Sequence, residues 1–188
     1  DIKQFKLQSL REQISYVPQD VFLFSDSVKN NIFFGMKENG EMEAQRMLRI
    51  EQAAKQAGIH NEINSFAEQY ETMVGERGVT LSGGQKQRIS IARALIKNPG
   101  LVIFDDCLSA VDARTEKDII SNLNEFLENK TAIIITQRIF SLFNFDKIVV
   151  LDDGVIVEEG THQQLLAKKG YYTGLYARQQ ELERSSGS

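Results

Sequence analysis

The sequence predicts an α/β fold whose mainly parallel sheet is flanked by helices, and two patterns carry this prediction. Short apolar runs typical of buried strands occur at 101–104, 132–135 and 148–151. A helical pattern with a single apolar stripe, from Ile119 to Leu127, separates the first two runs. Because strands that alternate with helices usually pair in parallel, helices should cover the sheet on both faces.

Two further elements are expected in the first half of the chain. The β-prone residues 14–17 end at Pro18, which cannot donate to a sheet ladder, and they therefore predict a short strand. Helical spacing from Ala44 to Ala57, followed by Gly58, predicts a helix within a small helical segment at about 40–70. The apolar residues assigned to one face of this helix are Met47, Leu48, Ala54 and Ala57.

The second half should end with a hairpin, a helix and a loose tail. The run 148–151 meets an Asp-Gly turn and returns as 155–157, which is typical of a two-residue β-hairpin. Thr161 and Gln164 have the spacing of a capping box and should begin a last helix. The polar residues from Glu181 onward should be loose.

The bulk composition indicates one ordinary globular domain of the cytosol. The 188 residues are 41% hydrophobic, which provides enough apolar material for a core and excludes a disordered chain. The net charge of -4 gives no broad attraction, so no nucleic-acid partner is expected. Cys107 is the only cysteine, which excludes an internal disulfide. No apolar run is long enough for a membrane span. The first residue is not Met, so a fragment is expected.

A glycine-rich segment marks the start of one predicted helix. Ser82, Gly83 and Gly84 precede a helical pattern that continues until Pro99. At a helix amino terminus, free backbone N–H groups, a serine hydroxyl and the helix dipole together favour a bound phosphate. The alternative is a glycine-rich cap or linker, because short motifs of this kind often match by accident.

Two adjacent carboxylates, Asp105 and Asp106, follow the apolar run 101–104. The carboxyl end of a buried parallel strand commonly opens on a site. Asp105 is placed to hold Mg²⁺ through a short oxygen ligand, and Asp106 is placed to act on a water molecule. The alternative is a solvated turn, because Asp is common where loops start.

Five motifs, in this order and spacing, resemble those of the nucleotide-binding domain of ABC transporters, and the resemblance covers residues 2–177. It implies a P-loop NTPase-like ABC ATPase core with a small α-helical subdomain that carries the signature motif. The motifs resemble the Q-loop (Tyr16, Val17, Pro18 and Gln19), the exporter-type X-loop (Val74, Gly75, Glu76, Arg77 and Gly78), the signature (Leu81, Ser82, Gly83, Gly84 and Gln85), the Walker B strand (101–105) and the D-loop (Ser109, Ala110, Val111 and Asp112).

The resemblance also implies how the chain is organised. Residues 1–177 would form a partial ATP-binding domain, with the helical subdomain and the signature within about 20–98. Walker B, the D-loop, the switch strand and the C-terminal hairpin and helix would occupy 99–177. Residues 178–188 would form a polar tail.

By the same resemblance, ATP and Mg²⁺ are the expected ligands. Asp105 and Gln19 would bind the metal, and Gln19 would also relay substrate state from transmembrane domains that the X-loop contacts. Residues 81–85 would grip the γ-phosphate of ATP held by the opposite subunit of a head-to-tail dimer. Apart from the resemblance, Gln19 is only a polar residue at a strand end.

The sequence departs from the family pattern in three places. No G-x-x-x-x-G-K-[ST] motif occurs in the 188 residues, so the chain alone should not hydrolyse ATP. Asp106 stands where the family usually has a catalytic Glu, which is one methylene longer. Gln137 replaces the switch histidine and cannot become a cation. These two catalytic candidates, which would act with Gln19, are therefore expected to form a weakened site.

The departures at Asp106 and Gln137, together with the intact signature, resemble those of one subunit in heterodimeric exporters of this family, and the resemblance implies one half of such a heterodimer. The signature would complete the active site of a second half-transporter subunit, whereas the Walker B side of this chain would be slow or mainly ATP-binding. Transmembrane domains of the same or a partner chain would place it at the cytoplasmic face of a membrane. The alternatives are that Asp106 and Gln137 serve adequately, that the chain is a soluble ABC-type ATPase of DNA repair or chromosome structure, or that it is a non-catalytic regulatory nucleotide-binding module.

Overall fold

The structure is a computed structural model that describes residues 2–36, 40–75, 79–108, 113–139 and 144–186. The chain divides into two compact units, residues 1–135 and 136–188. In the described ranges, no helix is both long and apolar enough to cross a membrane. The described helices are α1 (Leu7–Gln13), α2 (Val28–Phe33), α3 (Glu43–Gln56), α4 (His60–Ser65), α5 (Gly83–Leu95), α6 (Ala113–Leu127), α7 (His162–Lys168) and α8 (Tyr171–Ser186), and the strands are β1 (Ile14–Val17), β2 (Leu101–Asp105), β3 (Thr131–Ile135), β4 (Ile148–Asp152) and β5 (Val155–Gly160).

The first unit contains a three-stranded parallel sheet in the order β1-β2-β3. Ile14 pairs with Leu101, and Leu101 pairs with Thr131, so the three strands start side by side. The predicted strands and their parallel pairing are therefore confirmed. Parallel pairing also brings the carboxyl ends of the strands to one edge of the sheet, which we call the shared edge. The residues that follow β1 and β2 begin at this edge.

Within the described residues, the two faces of this sheet differ in exposure. Val102 and Phe104 are buried, whereas Ile133 and Ile135 of β3 are 47% and 51% exposed. Among the described residues, the face that carries Ile133 and Ile135 is therefore exposed rather than covered by a helix. Because side chains along a strand alternate between the two faces, Ile133 and Ile135 lie on the same face of the sheet. The position of β3 at the edge of the described sheet adds to their exposure.

The helix α5 is central to the helical packing of the first unit and contacts both α2 and α3. Ile89, Ala92 and Leu95 of α5 are buried, as their helical spacing predicts. The predicted α3 is confirmed too. Gly58 follows its cap with a φ of +67°, a left-handed conformation that favours glycine.

The buried face of α3 differs from the predicted one. Leu48 is 66% exposed, whereas Ala54 and Ala57 are buried as expected. Ile50 and Ala53 complete the observed face, because Ile50, Ala53, Ala54 and Ala57 share the i, i+3, i+4, i+7 spacing of one helix side. Leu48 lies outside that stripe.

The second unit contains the predicted hairpin, in which β4 and β5 pair antiparallel. Asp153 and Gly154 both have positive φ, +46° and +77°, as a two-residue type I′ turn requires. The capping box is confirmed as well, because the hydroxyl of Thr161 accepts a hydrogen bond from the N–H of Gln164. The small core of this unit is formed by Val150, Leu165 and Tyr172.

The end of the chain corrects one expectation. The segment from Glu181, predicted to be loose, is helical as far as Ser186, because α8 continues to that residue. Neither Gly nor Pro occurs between Leu175 and Ser186, and Leu, Glu, Gln and Arg all favour helix. A helix that has already started at Tyr171 therefore propagates through them.

Candidate functional site

The glycine-rich segment forms the capped amino terminus of α5. Ser82 is the residue before the helix, and its Oγ accepts a hydrogen bond from the N–H of Gln85 at 3.2 Å. The Oε1 of Gln85 accepts in return from the N–H of Ser82 at 2.9 Å. This reciprocal pair is a capping box, and it determines how the backbone enters the helix.

Residues 81–85, here called the signature tip, present hydrogen-bond donors to solvent. Leu81 is buried and anchors the tip, whereas Ser82 and Gly83 are exposed. N–H groups in the first turn of an α-helix have no intrahelical acceptor, and here they belong to Gly83 and Gly84, which carry no side chains. The Ser82 hydroxyl acts as an acceptor in the cap and therefore retains its O–H as a donor. The tip is chemically suited to a phosphate.

Glu62 of α4 braces the signature tip, although no local pattern in the sequence indicates it. Its Oε2 accepts a hydrogen bond from Nε2 of Gln85 at 2.9 Å, and its Oε1 accepts from the guanidinium of Arg88 at 2.5 Å. Arg88 is buried and also donates to the carbonyl oxygens of Gly84 and Gly58, at 3.2 and 2.9 Å. The tip is thus tied to α4 through side chains that are far apart in sequence.

The Walker B strand β2 brings Asp105 to the shared edge, where Tyr16 of β1 contacts it. The hydroxyl of Tyr16 donates a hydrogen bond to Oδ2 of Asp105 at 2.7 Å. Because the phenol proton is shared with a carboxylate, this bond raises the pKa of Tyr16. The sequence singled out Tyr16 only as part of the Q-loop, but the structure places it against the predicted metal ligand.

Asp106 lies just beyond the end of β2, and a backbone hydrogen bond fixes its position. Its N–H donates to the carbonyl oxygen of Ile135 at 2.8 Å, which ties it to the end of β3. Its φ is +43°, in the left-handed region that most residues with a Cβ avoid and that Asp tolerates better than most. The backbone of Asp106 is therefore fixed at the shared edge, directly after Asp105.

The oxygen donors at the shared edge suit Mg²⁺. Asp105 supplies a carboxylate, and Gln19, which is exposed and lies two residues beyond β1, supplies an amide oxygen. Mg²⁺ usually takes one or two protein oxygens and completes its octahedron with water and substrate phosphates. Among the residues that the structure describes, no group of three His, Cys, Asp or Glu side chains could enclose a metal. A carboxylate and an amide oxygen are ligands of the kind that Mg²⁺ takes beside substrate phosphates.

Gln137 belongs to the second unit, where it is exposed beside a cavity of about 350 Å³. The segment that follows it is attached to α8 through Gln179. The Oε1 of Gln179 accepts from the N–H of Ile139 at 2.8 Å, and its Nε2 donates to the Ile139 carbonyl oxygen at 2.9 Å. The side-chain amide of Gln179 thus satisfies both backbone groups of Ile139, as a neighbouring strand would do.

The start of the predicted X-loop is attached to the segment that follows the Q-loop. The N–H of Val74 donates to the carbonyl oxygen of Asp26 at 3.0 Å. Gly75 has a φ of +105°, and a Cβ there would lie 2.6 Å from Oγ of Ser25, so only glycine fits. The remaining X-loop residues Glu76, Arg77 and Gly78 and the D-loop residues Ser109, Ala110, Val111 and Asp112 lie outside the described residues.

Arg93 of α5 contacts three phenylalanines that also follow the Q-loop, one through its backbone and two through their rings. Its guanidinium donates to the carbonyl oxygen of Phe22 and to two oxygens of Asn31, at 2.8 to 2.9 Å. It lies 5.7 Å from the ring centroids of both Phe24 and Phe34. Burial of the guanidinium lowers the pKa of Arg93. The phenylalanine side chains nevertheless remain accessible, since Phe22 and Phe34 are 67% and 51% exposed. We call Phe22, Phe24 and Phe34 the aromatic patch.

Comparison with known proteins identifies the family. The family described as "ABC transporter" matches residues 1–109, which is more than half of the chain. The chain belongs to the ABC transporter family. This ABC domain is 49% identical to the probable multidrug resistance ABC transporter ATP-binding/permease protein YheI of Bacillus subtilis. It is 42% identical to ATP-binding cassette sub-family B member 6 of Homo sapiens. Each of these two alignments covers 186 residues and 99% of the chain.

A solved structure supports the same assignment. The chain superimposes on a bacterial Atm1-family ABC exporter with ATP bound, with a TM-score of 0.84 and 42% identity over 95% of its length. The predicted ABC ATPase fold and the exporter type of nucleotide-binding domain are thereby confirmed. The chain spans less than a third of these proteins, namely 31% of the Bacillus protein, 21% of the human protein and 30% of the exporter.

Proposed function

We propose that this domain binds ATP and Mg²⁺ within an ABC exporter and that its signature tip completes the ATP site of a second subunit. The capped and exposed amino terminus of α5 carries the proposal. The N–H groups of Gly83 and Gly84 and the O–H of Ser82 are suited to the γ-phosphate of a nucleotide that the partner subunit holds. Similarity to an exporter solved with ATP bound supports a nucleotide as the ligand.

The shared edge forms the other half-site in this proposal. Asp105 and Gln19 hold Mg²⁺, which when bound stabilises the negative charge of the phosphates during transfer. Asp106 orients the attacking water. Tyr16 restrains the carboxylate of Asp105, and the backbone bond to Ile135 restrains Asp106, so both acids are positioned before a nucleotide arrives.

We further propose that this subunit is the weaker half of a heterodimer. The carboxylate of Asp106 is set back by about 1.5 Å from the reach of a glutamate, because the side chain has one fewer C–C bond. Gln137 can form hydrogen bonds but cannot supply the positive charge of a protonated histidine. The site at this shared edge is therefore slow or mainly ATP-binding, while the site that the signature tip completes is competent.

Transmembrane domains are the proposed partner of the aromatic patch. Exposed aromatic rings that are held rigidly are typical of protein interfaces, and Arg93 holds Phe24 and Phe34 in this way. The bond between Val74 and Asp26 joins the X-loop start to the same post-Q-loop segment. Movement of transmembrane helices against this surface would be transmitted to Gln19 through the segment that joins them. The same contact would place the domain at the cytoplasmic face of a membrane.

The proposal keeps the organisation expected from the sequence. Residues 1–177 form a partial ATP-binding domain, in which about 20–98 include the helical subdomain and the signature. Because no P-loop motif occurs in the 188 residues, the isolated chain is expected to hydrolyse no ATP. Hydrolysis belongs to the full-length subunit assembled with its partner.

The test is an ATPase assay of the full-length heterodimer in lipid nanodiscs. Asp106→Asn in this subunit is expected to leave most of the turnover, whereas the equivalent acid-to-amide change in the partner should abolish it. Gly83→Glu in this subunit places a charged side chain at the signature tip and should abolish turnover of the partner's site, because the phosphate would be repelled.

Each arm of the assay can contradict one part of the proposal. Equal losses from the two acid-to-amide changes would show that the two sites are equivalent. Full turnover by the Gly83→Glu variant would exclude the signature tip from the ATP site. ATP binding without hydrolysis by the intact pair would favour a regulatory nucleotide-binding module instead.

A further inference from the structure

We propose that Glu62 is a positioning residue for the signature tip: its carboxylate determines the orientation of the Gln85 side-chain amide, and thereby holds Ser82 in the geometry that meets the phosphate. This inference rests on the proposed role of the tip in ATP binding. It adds a residue from α4, which lies in none of the five motifs, to the groups that shape the site.

The orientation of the Gln85 amide follows from the chemistry of its two neighbours. Its Nε2 donates to Oε2 of Glu62 at 2.9 Å, and its Oε1 accepts from the N–H of Ser82 at 2.9 Å. An ionised carboxylate can only accept, and a backbone N–H can only donate. A flipped amide would place oxygen against carboxylate and N–H against N–H, so the charge of Glu62 selects the orientation that closes the capping box.

Both oxygens of Glu62 are required, because two different donors use them. Oε2 accepts from Gln85, while Oε1 accepts from Arg88 at 2.5 Å. In the same geometry, a glutamine at position 62 would place its NH₂ group against one of the two donors, Gln85 or Arg88. A shorter aspartate would keep both acceptors at a greater distance. Position 62 thus requires a carboxylate on a side chain of glutamate length.

The helix α4 is itself held in place and can serve as a fixed support. Ile63 is fully buried, and the Nδ1 of His60 lies 2.7 Å from the hydroxyl of Tyr70. The side chain of Asn64 lies 3.0 Å from the other ring nitrogen of His60. Arg88 adds a bond to the carbonyl oxygen of Gly58, just before α4 begins. Glu62 therefore transmits the position of α4 to the signature tip.

The test uses the full-length subunit assembled with its partner and compares Glu62→Gln, Glu62→Asp and the control Glu68→Gln. Glu68 is an exposed acid three residues beyond α4, and its side chain belongs to neither half-site. The readouts are KM for ATP, kcat and the melting temperature. We expect Glu62→Gln to raise KM about tenfold with kcat within about twofold, since a hydrogen bond to a charged group is lost. Glu62→Asp should raise KM less, and Glu68→Gln should leave it unchanged.

Glu62→Asp keeps the test decisive if Glu62→Gln folds poorly. It keeps a carboxylate with two acceptor oxygens, at a greater distance from Gln85, so it should raise KM for ATP by less than tenfold. An unchanged KM in Glu62→Gln, or a lower melting temperature with KM unchanged, would overturn the inference by showing only a structural role. A KM in Glu62→Asp equal to that of the wild type, or as high as that of Glu62→Gln, would overturn it as well.

The inference and the proposed function can fail separately. If Gly83→Glu raises KM or abolishes turnover while Glu62→Gln does neither, only the role of Glu62 is wrong. If Gly83→Glu has no effect, the signature tip does not touch ATP, and both proposals are wrong.

Discussion

The hydroxyl of Tyr16 in β1 donates a 2.7 Å hydrogen bond to Oδ2 of Asp105, the last residue of the neighbouring parallel strand β2. Both residues lie on the more exposed face of the described sheet, where Ile133 is also exposed. A bond from phenol to carboxylate in such a place restrains the acid without removing it from solvent. Its contribution to stability should therefore be small, while its effect on the direction of the carboxylate should be larger.

Replacement of Tyr16 by Phe removes this bond and keeps the ring. We expect a small decrease in the free energy of unfolding, because the group is exposed and water can replace the lost donor. Urea denaturation of the wild-type and Tyr16→Phe proteins measures it. Tyr171→Phe is the matched control, since Tyr171 is also exposed. A decrease as large as that expected below for Gly75→Ala would contradict the view that the bond is only a restraint.

Replacement of Gly75 by Ala should destabilise the first unit by about 1–3 kcal/mol, since it combines a strained φ with a close contact. The new Cβ would lie 2.6 Å from Oγ of Ser25 and 3.0 Å from its Cα, and the φ of +105° is unfavourable for any residue with a Cβ. Denaturant unfolding of the purified protein is the measurement.

Gly35→Ala is the control that separates the contact from the backbone strain. Gly35 also has a positive φ, +83°, but a Cβ there would have no neighbour within 4 Å. Its loss should therefore be smaller than that of Gly75→Ala. Equal losses at the two glycines would show that the approach of Ser25 contributes nothing.

Replacement of Asp106 by Glu together with Gln137→His should increase ATP turnover of the full-length heterodimer, by about tenfold at the weaker site. The glutamate would regain the reach that Asp106 lacks, and histidine could carry a positive charge. A small loss of stability should accompany the gain, because Glu tolerates the φ of +43° less well than Asp. Turnover at or below the wild-type value would indicate that the site is not limited by these two residues.

The buried phenol of Tyr70 predicts a pH dependence of stability. Burial raises the pKa of Tyr70 above its ordinary value of 10.0. The folded protein therefore binds this proton more tightly than the unfolded chain does. The contribution of Tyr70 to the free energy of unfolding is complete below about pH 10 and is lost as the pH rises further. The difference in tyrosinate absorbance between wild type and Tyr70→Phe should appear above pH 10 and accompany loss of circular dichroism. Ionisation of Tyr70 near pH 10 in a protein that stays folded would contradict this prediction.

Local patterns were sufficient for several elements of the fold. The turn at Asp153, the cap at Thr161 and the buried stripe of α5 follow from residue spacing, because each depends on neighbours within about four positions. The prediction of a loose tail from Glu181 onward is wrong, because the polar residues there favour helix and polarity alone does not indicate disorder. The exposure of Leu48 shows that helical spacing alone does not choose which side of a helix faces the core.

The sequence by itself determined the family motifs, the parallel strands and the chemical types at the site, including the departures at Asp106 and Gln137, because these depend on residue identity and short spacing. Only the tertiary structure decided which groups restrain that site. Glu62 meets Gln85 across 23 residues, and Tyr16 meets Asp105 across 89. The physical reason is that an exposed acid or phenol has no local preference for such a partner, so the contact exists only once packing has brought two elements together.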